Sequence, residues 1–237
     1  MSIEMSRKLR LGALVVATLI VVCDQSRAGY VSLPSDMGTL TTAGNYTSVG
    51  NYLFTFANYS STTVGGAPIP ASSVAVSAVT GLTTGFEITA PMAAAPGSQN
   101  DLAFAYSLST TNGEGILAVT LNANGFVSGI GVANAIETVY TDSSKSTFLG
   151  QLEMTTGTTT LYLKGKGGTA ADGGFNSLYI TQDIVYNTYK PGDNATFSII
   201  TQTFAIPEPG SIALMGLGLV GLGFHARRRA NKVARGG

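Results

Sequence analysis

The chain has 237 residues, with 13 Lys and Arg against 13 Asp and Glu, so its formal net charge is zero. The balance is uneven: nine of the thirteen cations lie outside residues 29–206, where ten acids face only Lys145, Lys164, Lys166 and Lys190, a net charge of −6. That stretch also contains no Arg, His, Cys or Trp, which excludes nucleic-acid binding by phosphate neutralisation, a disulfide framework, a thiol nucleophile, a Ser-His-Asp triad and a histidine-bearing zinc site.

At the N-terminus, Arg7, Lys8 and Arg10 precede a twelve-residue apolar run from Leu11 to Val22, and Ser26-Arg27-Ala28 follows. A basic segment, a short apolar core and small residues at −3 and −1 predict a secretory signal peptide over 1–28, cleaved between Ala28 and Gly29. The implied partners are the general secretion machinery and a signal peptidase. A lipoprotein reading competes because Cys23 ends the apolar run, although Val22 before it is larger than the small residue such cleavage needs.

From residue 29 onward, apolar residues alternate: Tyr52, Phe54 and Phe56; Val74 and Val76; Leu102, Phe104, Tyr106 and Leu108; Leu117, Val119 and Leu121; Leu161 and Leu163; Leu178 and Ile180; Phe197 and Ile199. Period two with β-branched and aromatic enrichment marks half-buried strands. Turn signals fall between the runs, at Gly65-Gly66, Pro68, Pro70, Pro96-Gly97, Asn112-Gly113, Asn124-Gly125, Gly173-Gly174 and Pro191-Gly192. About ten short strands with no long helical period predict an all-β fold, an antiparallel β-sandwich or jelly-roll-like domain over 29–206. The last strand, roughly Ala195 to Phe204, runs straight into Ile206-Pro207.

Candidate chemistry in this domain is sparse. Glu87, Glu114, Glu137 and Glu153 are the carboxylates from which a glycosidase would draw its pair, but no E-x-D-x-E strand pattern accompanies them. Asp172, Asp183, Asp193 and Asn194 lie near glycine turns and offer oxygen ligands for calcium without an EF-hand spacing. Lys164-Gly165-Lys166-Gly167-Gly168 lacks the Lys-Ser/Thr ending of a phosphate-binding loop. No catalytic residue, metal site or cofactor is therefore expected. All ten tyrosines lie in this region, and their faces suit sugar rings. Sequons occur at Asn45, Asn58 and Asn194.

The tail reads Pro207-Glu208-Pro209-Gly210-Ser211, an apolar run from Ile212 to Phe224, then His225, Ala226 and Arg227-Arg228-Arg229, with Lys232 and Arg235 beyond. The prolines bias Ile206 and Glu208 to extended backbone, and Ser211 suits a helix N-cap. A helix over 212–226 would rise about 22 Å, short of a bilayer core of about 30 Å. Its cationic end nonetheless predicts a transmembrane helix with Arg227, Arg228 and Arg229 as a cytoplasmic stop. Gly216, Gly218, Gly221 and Gly223 would form a contact face for a membrane partner. Both basic ends then face the cytoplasm and the middle of the precursor lies outside.

Residues 207–237, with the Pro207-Glu208-Pro209 tripeptide, a Leu/Gly-rich helix and terminal arginines in that order, resemble the PEP-CTERM sorting signal of Gram-negative surface proteins. The resemblance implies transient residence in the inner membrane, processing near the tripeptide by an exosortase, and an exopolysaccharide setting. It implies no activity for the domain itself. The expected role is structural or adhesive at the cell surface or in the extracellular matrix. The alternatives are a carbohydrate-binding module or, further off, a carboxylate-based glycoside hydrolase.

Overall fold

The structure is a computed structural model that describes residues 29–81, 83–163 and 174–205. The signal segment 1–28, residue 82, the loop residues 164–173 and the tail from 206 lie outside the described residues. So do both terminal helices expected from the sequence. Among the described residues no helix is long and apolar enough to cross a membrane.

Thirteen strands are present among the described residues: β1 (Ser35–Asp36), β2 (Thr47–Val49), β3 (Tyr52–Val64), β4 (Ala75–Val79), β5 (Thr84–Thr89), β6 (Met92–Ala93), β7 (Gln99–Thr110), β8 (Ala118–Ser128), β9 (Val132–Tyr140), β10 (Phe148–Met154), β11 (Thr156–Tyr162), β12 (Ser177–Asn187) and β13 (Asn194–Ala205). The surplus over about ten lies in β1, β2 and β6, which are too short to show a period. One sheet has the order β1-β4-β5-β13-β8-β11, with β6 also pairing β13, and the other has the order β10-β9-β12-β7-β3-β2. Every pairing is antiparallel. The all-β sandwich expected from the sequence is the observed fold.

The inner faces are built by the alternation itself. Tyr52, Phe54 and Phe56 on β3, Leu102, Phe104, Tyr106 and Leu108 on β7, and Leu178, Ile180 and Ile184 on β12 are buried from the six-stranded side. Phe86 and Ile88 on β5, Val119 and Leu121 on β8, and Ile200 and Phe204 on β13 meet them from the other. Phe86 is the hub: its ring stands edge-on to Phe54 (5.4 Å), Phe56 (5.1 Å) and Tyr106 (5.1 Å). Edge-to-face pairs of this kind add about 0.5–1.5 kcal/mol each beyond area burial. One short helix, Met37–Leu40, capped by the Asp36 carboxylate accepting from Thr39 N at 2.9 Å, buries Met37 and Leu40.

Two details depart from the simple alternation. Asn124-Gly125 is not a turn but lies inside β8, where a Cβ on Gly125 would come 2.2 Å from the Thr155 carbonyl and 2.8 Å from the Phe197 ring. The glycine is there for close approach. On β13, Phe197 pairs Gly125 whereas Ile200 pairs Ala123. Two residues, Ser198 and Ile199, thus oppose the single Asn124. This β-bulge reverses the strand's parity, so Ile200 is buried and Ile199, expected inside, is 37 % exposed.

Candidate functional site

The four glutamates are dispersed. Glu87 sits between the buried Phe86 and Ile88 and therefore faces outward from its sheet, Glu114 lies in the β7–β8 loop bound to the Asn112 amide, and Glu153 is exposed on β10. Glu137 on β9 is fully buried between the sheets. No two of them share a face, so the arrangement does not assemble the paired carboxylates a glycosidase uses.

The calcium candidates also separate. Asp193 closes the β12–β13 turn, accepting from the amides of Tyr189 (3.2 Å), Lys190 (3.1 Å) and Ile130 (3.2 Å), while Asp183 lies in mid-strand on β12. Asp172 is outside the described residues. Among the described residues no group of three or more His, Cys, Asp or Glu side chains could hold a metal ion.

Glu137 belongs to a polar cluster in the core. Tyr106 Oη lies 3.2 Å from Glu137 Oε1 and also contacts Gln202 Oε1, while the Gln202 amide donates to Gln182 Oε1. Three of these residues come from neighbouring strands of the six-stranded sheet and Gln202 comes from the other, so the cluster ties the sheets together. Burial pushes the Glu137 carboxyl up to about 8, against a smaller opposing effect of the Tyr106 hydroxyl. Burial, with the Glu137 charge second, also pushes the Tyr106 phenol well up. Near neutral pH Glu137 is thus an acid with a proton to give. That matters because a phenol has only one proton for its two neighbours.

The outer face of the six-stranded sheet carries a different arrangement. Strand pairing sets Tyr179 on β12 opposite Tyr140 on β9, and Tyr140 opposite Phe148 on β10. This makes a row of three aromatics across three strands. Phe148 is 60 % exposed and its ring meets Tyr140 edge-on at 6.1 Å. Lys145 Nζ lies 5.9 Å from the centre of the Tyr140 ring. Its loop is fixed by Asp142, whose carboxylate accepts from Thr141 Oγ1 (2.9 Å), Ser146 Oγ (2.6 Å) and Ser144 N (2.9 Å).

Beside this row lies a concavity of about 280 Å³ lined by Asn58, Asp101, Ala103, Ala105, Lys145, Tyr179, Thr181 and Asp183, among others. Its floor is low because β7 presents alanines there. Asn58 reaches across them to the Tyr179 hydroxyl at 3.5 Å. Asn58 can do so because it sits at a second bulge, where Ala57 pairs Ala105 and Ser60 pairs Ala103, with a left-handed φ of 57°. Asp101 and Asp183 occupy diagonal positions on β7 and β12, and one oxygen of each is buried without a donor. Burial, then the neighbouring Asp101 carboxyl, raises Asp183 to about 6.

Of these residues, the sequence singled out Asp183 and the tyrosines as a class. Asp101, Lys145 and Phe148 were missed. Leu178 and Ile180 imply an outward Tyr179, but which strands lie beside it is a long-range property.

On the outer face of the other sheet, Thr120 is bonded to Thr160 and Asn122 to Thr158, each at 2.9 Å.

The sorting residues Pro207, Glu208 and Pro209, the glycines at 216, 218, 221 and 223, and Arg227 to Arg229 lie outside the described residues, as does Ala28. Gly29 is the first described residue, with φ 94°. β13 ends at Ala205, two positions before Pro207.

No curated protein matches the chain. Among solved structures, TmCBM61 in complex with β-1,4-galactotriose is similar at 10 % identity over 61 % of this chain and 86 % of that one, with a TM-score of 0.29. A family 11 carbohydrate-binding module from Clostridium thermocellum, in complex with a mixed-linked tetrasaccharide, is similar at 13 % identity over 61 % and 88 %, with a TM-score of 0.21. An arabinose-bound α-L-arabinofuranosidase is similar at 11 % identity over 76 % of this chain and 26 % of that one, with a TM-score of 0.24. Likenesses this weak have no bearing on what this chain binds. The PEP-CTERM protein-sorting motif, by contrast, matches residues 205–229, beginning at the last residue of β13, and the chain is accordingly a PEP-CTERM domain-containing protein.

Proposed function

We propose that this chain is the precursor of an exported cell-surface or extracellular-matrix protein with a structural or adhesive role. The reading is carried by the match at 205–229. Under it, the signal peptide 1–28 directs the chain to the general secretion machinery and is cut between Ala28 and Gly29. The helix 212–226 holds the precursor in the inner membrane, with Gly216, Gly218, Gly221 and Gly223 toward a membrane partner and Arg227 to Arg229 in the cytoplasm. An exosortase recognises Pro207, Glu208 and Pro209 and processes the chain there, and the domain over 29–206 is delivered to an exopolysaccharide setting.

Intact-mass and terminal-peptide mass spectrometry on the protein from its own host tests this. The expected species begins near Gly29 and ends between Pro207 and Pro209, and Glu208→Ala abolishes that C-terminus while leaving export intact. Recovery of chains that retain Arg227 to Arg229, or equal processing of the variant, contradicts it.

A second reading is favoured by one observation, the aromatic row Tyr179, Tyr140 and Phe148 beside a concavity on a solvent-facing sheet. In this reading the domain binds matrix polysaccharide, because aromatic faces are stacking platforms for sugar rings. Affinity electrophoresis in gels cast with matrix polysaccharide tests it, retardation being the expected result.

A further inference from the structure

We propose that the concavity between β3, β7 and β12 holds one uncharged hexose ring of a glycan chain, with Tyr179 as its stacking platform and Asp101 and Asp183 as acceptors for its hydroxyl groups. This rests on the polysaccharide reading above and adds the place, the ring's charge and the direction of the chain.

Size comes first. Small-molecule sites commonly run from about 300 Å³ upward, so about 280 Å³ suits one ring rather than an enclosed oligosaccharide. The space exists because Ala103 and Ala105 are followed across the strand pair by Asp183 and Thr181, leaving no large side chain on the floor. Tyr179 and Asn58, bonded to each other, form one wall. The two carboxylates form the other.

Chemistry selects the occupant. Carboxylate oxygens accept hydrogen bonds, and one oxygen of each aspartate meets no donor in the protein. A pyranose edge presents neighbouring hydroxyl donors, which match two such acceptors side by side, while the ring's C–H face lies on the phenol. Charge excludes a uronate, which two aspartates against Lys145, on a domain with a net charge of −6, repel.

Register gives the direction. Tyr179, Tyr140 and Phe148 face one another across successive strands, so Phe148 lies about two strand spacings, roughly 10 Å, from Tyr179. Lys145 already covers part of Tyr140, which leaves Phe148 as the second platform. The chain therefore runs across the strands from the concavity toward β10.

The test uses the full chain in mild detergent at pH 7.5, with gels containing neutral glucan, galactan or mannan and a parallel gel containing alginate. The expected result is retardation by at least one neutral glycan and none by alginate. Tyr179→Ala and the near-isosteric Asp183→Asn should each weaken binding at least tenfold, and Phe148→Ala should weaken it by less. Thr160→Ala, on the other sheet, should bind as the wild type does. Near-UV circular dichroism confirms folding of each variant. Alginate bound as well as the neutral glycans overturns the charge assignment. Neutral-glycan binding indifferent to Tyr179→Ala and Asp183→Asn overturns the location, and in both cases the polysaccharide reading stands. Absence of retardation by every polymer overturns both.

Discussion

Tyr106 Oη and Glu137 Oε1 lie 3.2 Å apart between the two sheets, which joins the protonation of a core carboxyl to the stability of the sandwich. The carboxyl is raised by burial from its ordinary 4.5 to about 8. Below about pH 4.5 both folded and unfolded chains carry the proton, and the titration of Glu137 adds nothing to the pH dependence of stability. Between about 4.5 and 8 only the unfolded chain ionises, so stability falls as pH rises, by about 1.4 kcal/mol per pH unit at most. Above about 8 the effect is constant.

Glu137→Gln keeps the shape and removes the titration. The variant is expected to be more stable than wild type by several kcal/mol at pH 8, with the gap closing toward pH 4.5. Urea midpoints measured from pH 4 to 9 check this. Asp183, raised to about 6, contributes with the same sign up to that pH but is common to both proteins, so the difference profile isolates Glu137. Parallel profiles for the two proteins would exclude the assignment.

Tyr106→Phe removes the hydroxyl that stands between Glu137 and Gln202. It leaves a buried carboxyl and a buried amide oxygen without that partner, which costs about 1–3 kcal/mol. The loss should not combine additively with the gain from Glu137→Gln, because contacting residues couple. A double-mutant cycle at pH 7 with zero interaction energy would show that the two groups do not communicate.

The sequence announced the sandwich through runs such as Tyr52, Phe54 and Phe56, where a two-residue period has one physical meaning. It was blind where a single inserted residue changes the period. Phe197 and Ile199 read as one face, yet the bulge at Ser198 and Ile199 turns Ile200 inward. Asn124-Gly125 had a turn's chemistry but serves the close approach of Thr155 and Phe197. Asp101 and Asp183 stand more than eighty positions apart and become neighbours only through the β7–β12 register. Glu137 is an ionisable residue at a core position, where tertiary partners override composition.

The bulge makes its own prediction. Ile200→Ala empties part of a packed core and should cost about 2–5 kcal/mol. Ile199→Ala removes an exposed side chain and should stay within about 1 kcal/mol. Without the bulge the order of the two effects reverses, so the pair of urea midpoints decides the parity of β13 beyond Phe197.

Gly85 is the position where β5 tolerates no side chain. A Cβ there would sit 1.8 Å from the Gln202 carbonyl oxygen and 2.8 Å from Thr203 Cα, and both are backbone atoms of the paired strand that no rotamer change can move. Gly85→Ala must therefore push β13 away from β5 along Gly85–Thr203 and Phe86–Gln202, at a cost of about 3 kcal/mol or more. The damage falls within three residues of Ala205, where the sorting-motif match begins. Limited proteolysis should then cut the variant within Thr201 to Ala205 under conditions where the wild type resists, whereas Gly66→Ala, whose Cβ would meet only the Thr63 hydroxyl at 3.1 Å and the Asn100 side chain at 3.9 Å, should keep the wild-type pattern. Resistance of both variants would mean that β13 can shift to accept the methyl group.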